Sequence, residues 1–219
     1  MADLLREVDE AVRADNMKRL WDEHKTAIVT GITALILGTA AFASWNSWQH
    51  SQNQKSTDAI MAAMQSDKPA ETLAASADQQ SGTPRVIAYL NAAALDLKSG
   101  NKQRALESYT AAQATKSADK DLKDLATLQK TNLTLDLKAD AKADDLIKEL
   151  KPIADNKKSP WAGEALFMSA FLKGEKNNDF SGAVSDLKTI SGRDDITESI
   201  KQRASALLSV YELKLSEKK

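Results

Sequence analysis

The chain has 219 residues but no cysteine, two histidines, four prolines and only 5% aromatic residues. Without cysteine there is no disulfide framework and no thiolate metal site, and neither side of a membrane is excluded on redox grounds. The two histidines, His24 and His50, fall on either side of the apolar run at 26–48 and so cannot share a site, which argues against a His-based zinc site or a Ser-His-Asp triad in the repeat region. Neither a G-x-S-x-G elbow, nor a Walker-A loop, nor a G-x-G-x-x-G fingerprint occurs. The alternating β-branched and aromatic runs of strands are also missing. The net charge is -1 with no basic stripe, which argues against a nucleic-acid partner. Acidic pairs exist, Asp144-Asp145 and Asp194-Asp195, but sequence neighbours do not converge on one substrate and read as solvated charge. No catalytic, cofactor-binding or metal-ligating residue is therefore expected, nor a small-molecule substrate, and the chain reads as a non-enzyme.

Ala, Leu, Lys, Asp and Glu dominate, and charged residues make up 28%. These residues lose little side-chain entropy in a helix, so the fold class read here is all-α. Residues 26–48 carry no ionisable side chain, and Trp21, Trp45 and Trp48 flank the run. Its length suits a bilayer core, and amphipathic rings favour the headgroup zone, so it is expected to be a single transmembrane helix. Arg6, Arg13, Lys18, Arg19 and Lys25 precede it, whereas only Lys55 and Lys68 follow in the comparable stretch. The positive-inside rule then places residues 1–25 in the cytoplasm and the rest outside, with His24 and His50 on opposite sides. A cleaved signal peptide, ending near Ala41-Phe42-Ala43, is the weaker reading because the preceding region is long and acidic; a buried soluble helix is the other. Asp3 to Lys25 spaces its apolar residues helically, as an interfacial amphipathic helix or as an extension of the span. Gly31 and Gly38 fit ordinary span composition better than a helix-packing motif.

After a polar linker, 49–55, residues 56–219 alternate helical patterns with breaks at 66–69, 80–84, 100–101, 116–119, 139–141, 156–160, 174–179 and 192–195. That rhythm is expected of stacked helical hairpins. Gly100, Ala105, Tyr109 and Ala112 reproduce the turn and second helix of a tetratricopeptide repeat. Tyr89 stands at its first-helix Trp position, while Asp96 departs from its usual Tyr. Ala143, Ile147 and Leu150 repeat the small–large–large spacing, as do Ala183, Leu187 and Ile190. Ile60, Met61 and Met64 with Leu73 would build an opening hairpin. Ile200, Ala204, Leu207, Leu208 and Tyr211 would line a C-terminal capping helix from 196 to 215, which a repeat array needs over its last apolar face.

The order of parts resembles the YfgM-like bacterial proteins, ancillary subunits of the Sec translocon. The resemblance rests on the opening Glu7-Val8-Asp9-Glu10-Ala11-Val12-Arg13, on Leu20-Trp21, on Trp45-Asn46-Ser47-Trp48 and on Lys68-Pro69 followed by the Gly100 hairpin. It implies an inner-membrane, single-pass protein with a periplasmic tetratricopeptide-like α-solenoid. Its partners would be Sec channel subunits, periplasmic chaperones or exported clients. A scaffold for cell-envelope assembly or division is the alternative.

The residues that bind partners are not legible. Trp161 reads as a core residue with Phe167 and Phe171 rather than an exposed binding anchor. The lysines of 116–130 and 142–158, interleaved with Asp and Glu, read as solvated outer faces.

Overall fold

The computed structural model describes Ser47, Ser51, 54–138 and 140–217. The chain divides into two units, Met1–Lys55 and Ser56–Lys219. The expected cytoplasmic segment, the span apart from Ser47, and most of the linker lie outside the described residues. Among the described residues, no helix is long and apolar enough to cross a membrane.

The second unit is all-helical. The helices are α1 (helical from 54 to 64), α2 (Pro69–Asp78), α3 (Gly82–Lys98), α4 (Lys102–Ala114), α5 (Lys120–Leu137), α6 (Ala143–Ala154), α7 (Ala162–Glu175), α8 (Phe180–Ser191) and α9 (Glu198–Glu217). Local chemistry sets their ends. Pro69 opens α2, where its missing N–H costs nothing. Asp119 and Asp179 cap α5 and α8 by accepting from the N–H of Leu122 at 3.1 Å and of Gly182 at 2.8 Å. At the end of α3, Gly100 adopts φ +80°. The Asn101 N–H then donates to the Asp96 carbonyl at 2.8 Å and the Gly100 N–H to Leu97 at 3.0 Å, the paired closure of a Schellman turn.

All eight expected breaks coincide with interhelical connections, but one is displaced. Gly174 lies inside α7 and is buried; the turn that follows is made by Asn178 at φ 54°, a residue that tolerates this region. Gly174 serves packing instead, as the ring of Tyr211 from α9 occupies the space its side chain would take.

Successive helices pack as antiparallel neighbours, and α3 also approaches α5, as α7 approaches α9. The exception is α5 with α6, which meet at few places, α6 giving its apolar face to α7. Ala105, Tyr109 and Ala112 are all buried, as are Ala183, Leu187 and Ile190. In the middle copy Ala143 and Leu150 are buried, but Leu146 fills the core where Ile147 was expected, and Ile147 is half-buried. Full burial of a leucine such as Leu73, Leu150 or Leu187 contributes roughly 1.5–3 kcal/mol. Tyr89 is buried as expected. In α9, Ile200, Ala204 and Tyr211 are buried and Leu207 and Leu208 half-buried against α7 and α8, as a cap requires.

Two expectations fail at the ends of the array. Met61 and Met64 are 55% and 47% exposed, while Ala63 and Leu73 are buried and Ile60 is half-buried. Only one flank of α1 faces α2 and α3, so no described helix covers its far side. Phe171, expected in the core with Trp161, is 40% exposed.

Hairpins are joined to their neighbours by bonds of one-repeat span. Arg104 with Glu71 (33 residues apart), Lys102 with Asp136 (34), Ser159 with Asp124 (35), the Asp119 N–H with Thr83 (36) and Arg203 with Glu164 (39) all follow this rule. Equivalent positions of successive hairpins lie side by side in a solenoid, so such pairs recur at the repeat length.

Candidate protein-binding groove

Two adjoining clefts of about 490 and 390 Å³ share Ala70, Glu71 and Arg104 and run between α2 and α4 over α3. Small residues make the space: Ala70 and Ala74 on α2 and Ser108 and Ala111 on α4 hold the walls apart above Tyr89 and Asp96 of α3. The other end is bordered by Asp67, Lys68 and Lys98.

Arg104 organises the groove. It stands in the first turn of α4, placed there by the Gly100 turn. Its guanidinium donates to Glu71 Oε1 at 2.7 Å and to Asp96 Oδ1 at 2.5 Å. Asp96 is buried, and a buried carboxylate needs a partner. This explains the departure at Asp96: where the repeat usually stacks an aromatic, this chain ties three helices with one cation. The Arg104 guanidinium, followed by the Lys68 charge, holds the Glu71 carboxyl below the usual range. Glu71 and then Asp96 strengthen the protonated form of Arg104. The Arg104 Nε–H is buried without an acceptor.

A second triad closes the flank. The Tyr89 hydroxyl donates to Asp78 Oδ1 at 2.5 Å, and Arg85 donates to Asp78 at 3.2 Å and to the Tyr89 oxygen at 3.3 Å. Burial, then the Asp78 hydrogen bond, raises the Tyr89 pKa. The groove thus offers walls of small residues, a rigid aromatic beneath them and fixed charges, without a nucleophile paired to a base. That suits a polypeptide ligand, held by backbone-scale contacts and a few polar anchors.

Among the described residues no three His, Cys, Asp or Glu are grouped to hold a metal. Asp144, Asp145, Asp194 and Asp195 are all exposed. Asp144 accepts from Asn177 Nδ2 at 2.7 Å, and Asp195 pairs with Arg193. His24 and His50 lie outside the described residues. Trp161 is half-buried against the α6–α7 core, with its indole N–H buried and unpaired, and Phe167 is half-buried against the α8–α9 core under the Arg203 guanidinium, 4.5 Å from its ring centroid. Of the lysines expected to be solvated, Lys130 is not: only 16% exposed, it donates to Glu149 at 2.6 Å and to Gln113 at 2.9 Å.

A protein-family model described as "Tetratricopeptide repeat-like domain" matches residues 18–166. No curated protein and no solved structure matches the chain. Repeat domains of this kind are generally protein-interaction modules rather than enzymes. The matched segment takes in helices α1 to α6, including the groove and its Gly100 hairpin, and the chain belongs to the tetratricopeptide repeat-like domain family.

Proposed function

We propose that this chain is a membrane-anchored, non-enzymatic subunit ancillary to the bacterial Sec translocon, which binds periplasmic chaperones or newly exported proteins through its helical array. In this reading residues 1–25 are cytoplasmic, 26–48 span the inner membrane once, 49–55 form a linker and 56–219 stand in the periplasm. One observation supports it: the family match begins at residue 18, ahead of the charge-free run, so the run and the first repeats fall within one matched segment. Anchoring would confine the groove near a channel exit and raise its effective concentration for emerging clients. The α2–α4 groove is the surface assigned to those clients.

Crosslinking in intact cells, followed by purification in mild detergent and mass spectrometry, tests this. Recovery of Sec channel subunits and periplasmic chaperones is expected. Glu107→Arg, an exposed change in the groove wall, should deplete the chaperone and client fraction while leaving the channel subunits. Recovery of envelope-assembly or division proteins in their place would replace the export role with that of a scaffold.

A further inference from the structure

The outer side of α9 carries a second apolar seam. Ser199, Arg203, Ala206, Val210, Leu213 and Glu217 are alternately four and three residues apart, the spacing that keeps one stripe facing a partner helix. The stripe lies away from Tyr211, Ala204 and Ile200, the residues that bury α9 on its own array. Among the described residues nothing covers it: Val210 is 48% and Leu213 61% exposed, and Ala206 is exposed beside them. Phe171 extends it. Glu164, Phe167, Phe171 and Glu175 share one face of α7, and the first and last of these bond Arg203 and Lys214 of α9. Phe171, 40% exposed, stands between those two bonded points.

Neighbouring exposed apolar residues such as Val210, Leu213 and Phe171 mark a contact site when they form one patch, and the order of charges along the stripe says what covers it. Charge is antisymmetric about Val210, with a cation seven residues before it at 203 and an anion seven residues after it at 217, and Leu207 and Leu213 stand three residues to either side. Two copies of α9 laid antiparallel about this point would put Val210 on Val210, Arg203 opposite Glu217 of the second copy, and Leu213 level with its Leu207. A face complementary to itself is what a twofold interface needs. Arg203 gives one terminal nitrogen to Glu164, and its remaining donors are enough for a second carboxylate.

We infer that α9 is a dimerisation helix, and that its occupant is the α9 of a second copy of this chain, packed antiparallel about Val210. Pairing of α9 with the other exposed apolar end, α1 with Met61 and Met64, would be a head-to-tail contact without this twofold match.

The chain has no cysteine, so single introduced thiols report without background. Full-length Val210→Cys protein in native membranes, oxidised mildly, is expected to double its mass on a non-reducing gel. A membrane holding both Arg203→Cys and Glu217→Cys copies should do the same. Ser205→Cys, exposed but off the stripe, should remain monomeric. Val210→Asp combined with Leu213→Asp should abolish dimers trapped by amine-reactive crosslinking while leaving the helical circular dichroism unchanged. Three results would each overturn the assignment: Val210→Cys crosslinking no better than Ser205→Cys, its capture by a different protein, or its preferential linkage to Met61→Cys copies. None of them would touch the export reading.

Discussion

Tyr211 of α9 lies where a side chain at Gly174 of α7 would be. A Cβ added at Gly174 would come within 2.5 Å of the ring Cζ and 2.7 Å of the hydroxyl. The last helix is thus keyed to the array by one missing methyl group. Gly174→Ala gains helix propensity but forces a buried ring aside. Overpacking of this kind costs about 1–3 kcal/mol, more than the ~1 kcal/mol that Ala gains over Gly in a helix. Urea denaturation should show a net loss for Gly174→Ala. Gly174→Ala with Tyr211→Leu should recover part of it, giving a coupling that separates the clash from a backbone effect.

Gly100 offers the contrast. Nothing lies within 4 Å of a Cβ built there, yet its φ is +80°. Gly100→Ala should cost about 1–2 kcal/mol through backbone conformation alone, and Gly100→Asn less, since Asn visits this region more readily. Equal losses for the two variants would mean that the turn is not the cause.

The three tyrosines, Tyr89, Tyr109 and Tyr211, all have pKa values raised above 10.0, chiefly by burial; for Tyr211 the charge of Glu175 adds to it. A raised folded-state pKa gives stability that is complete below the unfolded value and is lost as pH rises towards the folded one. Near-ultraviolet titration should therefore show less than half of the phenolate at pH 10 while the protein remains folded. Phenolate should then appear together with loss of helix. A gradual rise centred on pH 10 before unfolding would contradict the burial of these rings.

The acid side runs the other way. Glu71 and Asp195 have pKa values lowered, the first mainly by hydrogen bonding from Arg104 and the second by Arg193. A depressed folded pKa gives stability that is present above the unfolded value and is lost as pH falls through the folded one. The contribution of these pairs should hold from neutral pH to the ordinary carboxylate range, 4.5 for Glu71 and 3.8 for Asp195, and decline below it. Glu71→Gln should flatten part of that acid limb in thermal melts taken across the range.

Lys130 links α4, α5 and α6 where α5 and α6 otherwise meet little. Lys130→Met removes a charged donor from a nearly covered site and leaves Glu149 and Gln113 with only their mutual 3.2 Å bond. A loss of about 1.5–3 kcal/mol is expected in urea denaturation, in the range of hydrogen bonds to charged groups. Lys151→Met, whose partner Asp155 is as exposed as itself, should change little.

The helical rhythm was legible because turns are written in residues with a local mechanism: Pro69, Gly100, Asp119 and Asp179 act on their own backbone. Gly174 misleads because the same residue type also marks close approach, which depends on Tyr211, 37 positions away. Met61, Met64 and Phe171 fit an apolar stripe, but periodicity does not say whether a neighbour covers that stripe at the end of an array. The groove was not legible at all. Ala70, Ala74, Ser108 and Ala111 are unremarkable in helices, and their role arises only when α2 and α4 are held apart over α3. One signal was available: Glu71 and Arg104, opposite in charge, are 33 residues apart, near one repeat.

The bonds of one-repeat span between hairpins, from 33 to 39 residues, also set an order of assembly. A newly entering hairpin needs only its predecessor as a template, and nothing in this ladder waits for the far end of the chain. Topologies of such local connectivity form quickly. A chain delivered N-terminus first can therefore lock each hairpin as it arrives, the Gly100 hairpin before α9, so that the half-delivered molecule already holds a finished groove while its dimerisation helix is still to come.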